Sequence, residues 1–132
     1  MIEVELLGAS LAPAAPSAAE IERLCTRAAA RRGVHAAHVA IEFVDATRIA
    51  ELNAEHRGKP RPTDVLSFPI DGVEPVPGQR ELGDVVICPQ HTADVREAVV
   101  HGMLHLLGMD HEHDDGEMLA LQRALLVEVR TP

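Results

Sequence analysis

Three of the chain's eight histidines fall in the stretch HGMLHLLGMDH, at positions 101, 105 and 111. His101 and His105 are four apart, so on a helix their rings lie on one face and can aim nitrogens at one ion. Gly108 lacks a Cβ and can take the left-handed conformation that ends a helix, which predicts that His111 is turned back toward the other two. Three neutral imidazoles with an open fourth position describe a catalytic zinc site, holding one ion, better than a closed structural one. The competing reading is of ordinary surface or core histidines on an amphipathic helix. It explains the first pair about as well, but it explains poorly a third histidine placed just past a glycine turn.

The stretch fits the metal-peptidase signature HExxHxxGxxH at every specified position but one: Gly102 stands where that signature has glutamate. In those peptidases the glutamate is the general base, so the metal cage is kept here without its usual carboxylate. A peptidase or amide hydrolase is therefore the weaker enzyme reading. A glycine inside a helix costs about 1 kcal/mol relative to alanine, which often marks a close approach of backbone or substrate.

The elements that must position these residues follow from periodicity and caps. IEVELL alternates as a strand, and SAAE at 17–20 is a capping box that opens a helix with Ile21, Leu24, Cys25 and Ala28 on its apolar face and Gly33 as its stop. A second strand, HVAIEFV, precedes Asp45, which caps a helix over ATRIAELNAEHR that ends at Gly58. The basic, proline-punctuated loop RGKPRPTD leads into a short strand VLSFP, and LGDVVIC forms another before the histidine helix. Asp114 and Asp115 start a last helix with Met118, Leu121 and Leu125 on one face. The order βαβαββαα predicts an α+β fold, with a mixed sheet of about four strands, packed helices, and one small domain over residues 1–132.

Composition narrows the function. The formal net charge of −9 argues against broad phosphate neutralisation, so any polyanion must dock locally, and DNA binding is not expected. Tyrosine and tryptophan are absent and the aromatics are Phe43 and Phe68, too few for a base-stacking platform. Cys25 and Cys88 are far apart and outside any CxxC pattern, which predicts buried free thiols. The opening MIEVELLGAS shows no secretory pattern and no run approaches membrane-spanning length, so a cytoplasmic protein without membrane contact is expected.

HGMLHLLGMDH, with LGDVVIC upstream and RGKPRPTDVLSFP before that, closely resembles the YbeY family of bacterial ribosome-maturation proteins, from about Asn53 onward. The resemblance implies a metal-dependent, single-strand-specific endoribonuclease. It would act in ribosomal RNA maturation, including the 3′ end of the small-subunit RNA, and in ribosome quality control, on a fold related to metzincin peptidases. The implied partners are precursor ribosomal RNA, the small subunit and assembly factors. By position, the family's zinc ligands fall on His101, His105 and His111, and its functionally important arginine falls on Arg57. A guanidinium fork there can grip a phosphate and offset charge that grows on it in the transition state, with Lys59 and Arg61 completing a local basic cluster. The bland alternative for Arg57 is a solvated cation at a helix C-terminus.

The connection from VVICP to VVHGMLH is shorter than the family pattern by roughly three helical turns' worth of chain. A non-catalytic assembly factor that keeps zinc for stability is the rival from a different class. Asp84 can line the site or be an edge residue, and Asp110 and Glu112 can orient a histidine or face water. His56, His91 and His113 are not expected to be ligands.

Overall fold

Each helix start has a side chain that accepts orphan amide hydrogens of the first turn. Ser17 Oγ accepts from Glu20 N (3.2 Å), Asp45 Oδ1 from Arg48 N (2.8 Å), and Asp94 Oδ1 from Arg96 N (2.9 Å). The resulting chain, a computed structural model that describes residues 1–129, runs β1 (Ile2–Leu7), α1 (Ala18–Arg31), β2 (Ala37–Phe43), α2 (Ala46–Arg57), β3 (Val65–Pro69), β4 (Glu81–Ile87), α3 (Val95–Leu106) and α4 (Glu117–Glu128). The last three residues of the expected domain lie outside those described. α4 starts slightly later than expected: Asp114 accepts from Gly116 N (2.8 Å) and Met118 N (2.9 Å), and the helix begins at Glu117.

The four strands form one mixed sheet in the order β1-β2-β4-β3, with β1, β2 and β4 parallel and β3 antiparallel to β4 at the edge. The α+β architecture is the one expected. Strand side chains alternate between faces, so β4 divides its apolar residues between two cores. Val85 and Ile87 join Val39, Ile41 and Phe43 of β2 under α1, α3 and α4 in the larger core. Val86 and Cys88 join Leu66 of β3 and Ile49 of α2 in a smaller one. α2 therefore sits on the face of the sheet opposite the histidine helix. Both cysteines are buried free thiols, and burial pushes the Cys25 thiol up to about 12.

α3 lies between α1 and α4 and over β3 and β4. Its position is fixed by Gly102, where a Cβ would come within 2.4 Å of Val85 Cγ1. The close approach expected at this glycine is made by the sheet, and not by substrate. Ser67 Oγ of β3 donates to Gly102 O at 3.1 Å, a second clasp at the same point. At the start of α3, Arg96 forms a 2.7 Å ion pair with Glu20 of α1, which is 2% exposed, and donates from Nη2 to Leu126 O of α4 (3.2 Å). Such a buried charge persists only when paired, so this contact ties the three helices together. The link from β4 into α3 is short, a single 3-10 turn at Pro89–His91 followed by the cap at Asp94. Among the described residues, no helix is long and apolar enough to cross a membrane.

Candidate metal centre

α3 ends in two reverse-turn hydrogen bonds, Gly108 N to His105 O and Met109 N to Leu104 O, both 3.0 Å, with Gly108 at φ +89°. This glycine-closed motif folds the chain back over the last turn. It brings His111 to ring-centroid distances of 5.1 Å from His101 and 5.4 Å from His105, which are themselves 4.8 Å apart. One nitrogen from each ring lies within 4.8 Å of the other two, so the three can hold a metal ion.

Hydrogen bonds to the far side of the rings define the donor set. Met109 O can only accept, so His105 Nδ1, 3.0 Å away, carries a proton and Nε2 presents its lone pair. His101 Nδ1 lies 2.9 Å from Oε1 of Gln122, a buried residue of α4, which leaves its Nε2 in the same state. These two Nε2 atoms face each other at 3.2 Å. Two lone pairs at that distance need a cation or a proton between them. Burial, and then the other two histidines, hold the His105 pKa below its ordinary value, which favours the neutral ligand form. His111 Nδ1 is buried without a hydrogen-bond partner among the described residues, a further sign that the cluster is built around something else. The residues fit a zinc ion.

The histidines form one wall of a cleft of about 510 Å³. The facing wall carries His56 and Arg57 from the end of α2 and residues 63–67 leading into β3. Arg57 is the last residue of α2, and Gly58 at φ +69° turns the chain behind it. Buried Asn53 donates from Nδ2 to Arg61 O (2.9 Å) and pins the loop that follows. Arg57 makes no hydrogen bond or ion pair among the described residues, so its guanidinium is uncommitted. Lys59 and Arg61 are exposed and do not border the cleft.

Several expectations are sorted by the same geometry. Asp84 is exposed and does not border the cleft, because it points to the sheet face opposite Val85. Asp110 accepts from Glu112 N (3.0 Å) and lies 2.6 Å from His113 Nδ1; these contacts depress its pKa and raise that of His113. It holds the turn, and no ligand ring. His56 lines the cleft with its ring tilted against Phe68, centroids 4.6 Å apart, outside the metal cluster. Sequence reasoning missed Gln122 and the Met109 carbonyl. A glutamine on the buried stripe between Met118 and Leu125 was the available signal for the first; a backbone acceptor leaves none.

Residues 12–130 match the family model described as endoribonuclease YbeY. The chain belongs to the YbeY family. A Chromobacterium violaceum protein named endoribonuclease YbeY is 39% identical, covering 96% of this chain and 83% of the relative. That alignment spans 140 positions, more than the 132 residues of this chain, so the relative has residues without a counterpart here. Proteins of the same name from Micrococcus luteus and Rhodococcus erythropolis are each 40% identical, over 81% and 75% of this chain and 80% and 67% of theirs. The solution structure of a Thermotoga maritima protein superposes with a TM-score of 0.55 at 28% identity, covering 96% of this chain and 88% of that one. The fold of that protein is thus shared over nearly the whole chain.

Proposed function

We propose that this YbeY-family chain is a zinc-dependent, single-strand-specific endoribonuclease of ribosomal RNA maturation, including the 3′ end of the small-subunit RNA, and of ribosome quality control. The observation that carries this reading is the pairing of an uncommitted Arg57 with three convergent imidazoles across one cleft, in a family whose named members are endoribonucleases. His101, His105 and His111 hold the ion, with Gln122 and Met109 O fixing two of the rings. Zinc, when bound, supplies Lewis acidity at the scissile phosphate. Arg57 grips the phosphate through its guanidinium fork and offsets the charge that develops during displacement. The partners of this reading are single-stranded precursor ribosomal RNA, the small subunit and its assembly factors, in the cytoplasm. The whole chain acts as one catalytic domain.

The absence of a glutamate beside His101 counts against a peptidase, and the closed contact at Gly102 leaves no room for one. A zinc-containing assembly factor without catalysis remains the second reading, favoured by the net charge of −9 and the short link into α3. The test is metal content and RNA cleavage of His105→Ala and Arg57→Ala. His105→Ala loses bound zinc and cleavage together; full cleavage by a metal-free variant refutes the nuclease. Arg57→Ala keeps zinc and loses roughly 100- to 1,000-fold in rate. Cells carrying Arg57→Ala accumulate precursor RNA if the role is catalytic and process it normally if the role is assembly alone.

A further inference from the structure

The signature glutamate is replaced by Gly102, whose Cβ position is closed by Val85, so a base for this site must come from another element. Three carboxylates border the main cleft: Asp64, Asp110 and Glu112. Asp110 is engaged by Glu112 N and His113. Glu112 borders only that cleft.

Asp64 is placed differently. A second cleft of about 330 Å³ lies beyond the histidines, between the start of α3 and Leu119 and Gln122 of α4. The residues common to both clefts are Asp64, Val65, His101 and His111. The junction thus brings together two ligand rings, one aliphatic side chain and a single carboxylate. Its backbone is anchored, since Asp64 O accepts from Cys88 N at 2.9 Å, where the link from β4 begins. Its side chain is oriented, since Oδ1 accepts from Val65 N (2.8 Å) and Thr63 Oγ1 (3.3 Å). Oδ2 has no partner among the described residues. One oxygen is held and the other has no partner among the described residues, on a residue that borders both clefts, which leaves it available as a base.

We infer that Asp64 is the general base of this site, taking the proton from the oxygen that attacks the scissile phosphate; this rests on the nuclease reading above. The attacking oxygen, from water or from the RNA's own 2′-hydroxyl, forms a bond to phosphorus while its proton passes to Asp64 Oδ2. The bond from phosphorus to the leaving ribose oxygen breaks, and that oxygen takes a proton from solvent. Asp64 returns its proton to solvent, so charge and atoms balance over the turnover. A strand running from one cleft into the other would carry its scissile phosphate past this carboxylate.

The test uses the full zinc-loaded chain and a labelled single-stranded oligoribonucleotide. Asp64→Asn keeps an oxygen for Val65 N–H and removes the basic carboxylate. It is expected to bind zinc at the wild-type ratio, to hold the oligoribonucleotide as tightly as wild type before cleavage begins, and to cleave roughly 100- to 10,000-fold more slowly. With a sulfur leaving atom at the 5′ position, which needs no protonation, the defect persists for a base; restoration to wild-type rate would mean that Asp64 is an acid, and overturns the assignment. Loss of zinc from Asp64→Asn also overturns it, as does a near-wild-type rate. Asp64→Ser, with a short acceptor in the same place, gives the same readouts if the asparagine variant fails to fold. His105→Ala run alongside separates the two levels: if it cleaves normally the nuclease reading falls, and if it is inactive while Asp64→Asn is not, only the base assignment falls. A 2′,3′-cyclic phosphate product identifies the 2′-hydroxyl as attacking group, and a linear phosphate identifies water.

Discussion

The contact between Gly102 and Val85 gives a quantitative test of how the histidine helix is held. A Cβ at position 102 would lie 2.4 Å from Val85 Cγ1, 3.0 Å from Cγ2 and 3.2 Å from Cβ. Carbon atoms pack best near 3.5–4.0 Å, so the first overlap exceeds 1 Å. Rotating Val85 about χ1 does not clear it, because the β-carbon itself is already tight and the rotamer is stiff. The backbone must move, and overpacking of this kind costs about 1–3 kcal/mol, against which alanine gains about 1 kcal/mol of helix propensity. Gly102→Ala is therefore expected to destabilise by up to about 2 kcal/mol. Val85, fully buried, loses two methyl groups in Val85→Ala, about 1.6 kcal/mol before any cavity contribution. In the double variant the new methyl enters the space the valine vacates. The pair should then be more stable than the sum of the single effects by at least about 1 kcal/mol in urea unfolding. Additivity within about 0.4 kcal/mol would show that the glycine is not required by the sheet, and the packing argument would fail. By the same reasoning Gly102→Glu, which completes the peptidase signature, yields a destabilised protein without peptide cleavage.

The site's far shell and the sheet's exposed face supply two more tests. Gln122→Leu fills the buried volume but removes the acceptor on His101 Nδ1, so zinc affinity, measured by competition with a chromophoric chelator, should fall roughly 10- to 100-fold; unchanged affinity rejects the orienting role. His38 of β2 bridges Glu81 (2.7 Å) and Glu5 (3.3 Å), and the Glu81 hydrogen bond, aided by the charges of Glu81, Glu5 and Glu3 and opposed by burial, raises its pKa. A raised folded pKa stabilises fully below the unfolded value and fades as pH rises through the folded one, so His38→Gln should cost about 0.5 kcal/mol in mild acid and almost nothing in alkali. An equal cost at both extremes would rule out the charge-linked contribution.

Much of this was legible because it is local. Ser17 and Asp45 accept amide hydrogens from residues three ahead, and Gly58 and Gly108 take positive φ where helices end, so spacing alone locates these boundaries. The convergence of His101, His105 and His111 depends on one helical turn and one bend, and it is equally local. What could not be read depends on register between distant segments. Nothing in VLSFP or LGDVVIC states that β3 lies antiparallel outside β4, and that pairing decides that Asp84 faces away while Ser67 reaches Gly102. Gln122 reaches His101 across 21 positions. Asp64 likewise borders the cleft at a point where its backbone oxygen accepts from the amide of Cys88, 24 positions on.

The sheet separates the two halves of the cleft: His101 and His105 stand on a helix packed against one face, with His111 in the turn beyond its end, and Arg57 ends a helix seated on the other over a much smaller core. Under the function proposed above, drift at Ile49 or Leu52 would retune how a phosphate is gripped without disturbing the histidine cluster, whereas drift at Val85 would disturb that cluster and spare the grip. A lineage with this plan can adjust its substrate preference and its metal affinity as nearly independent traits.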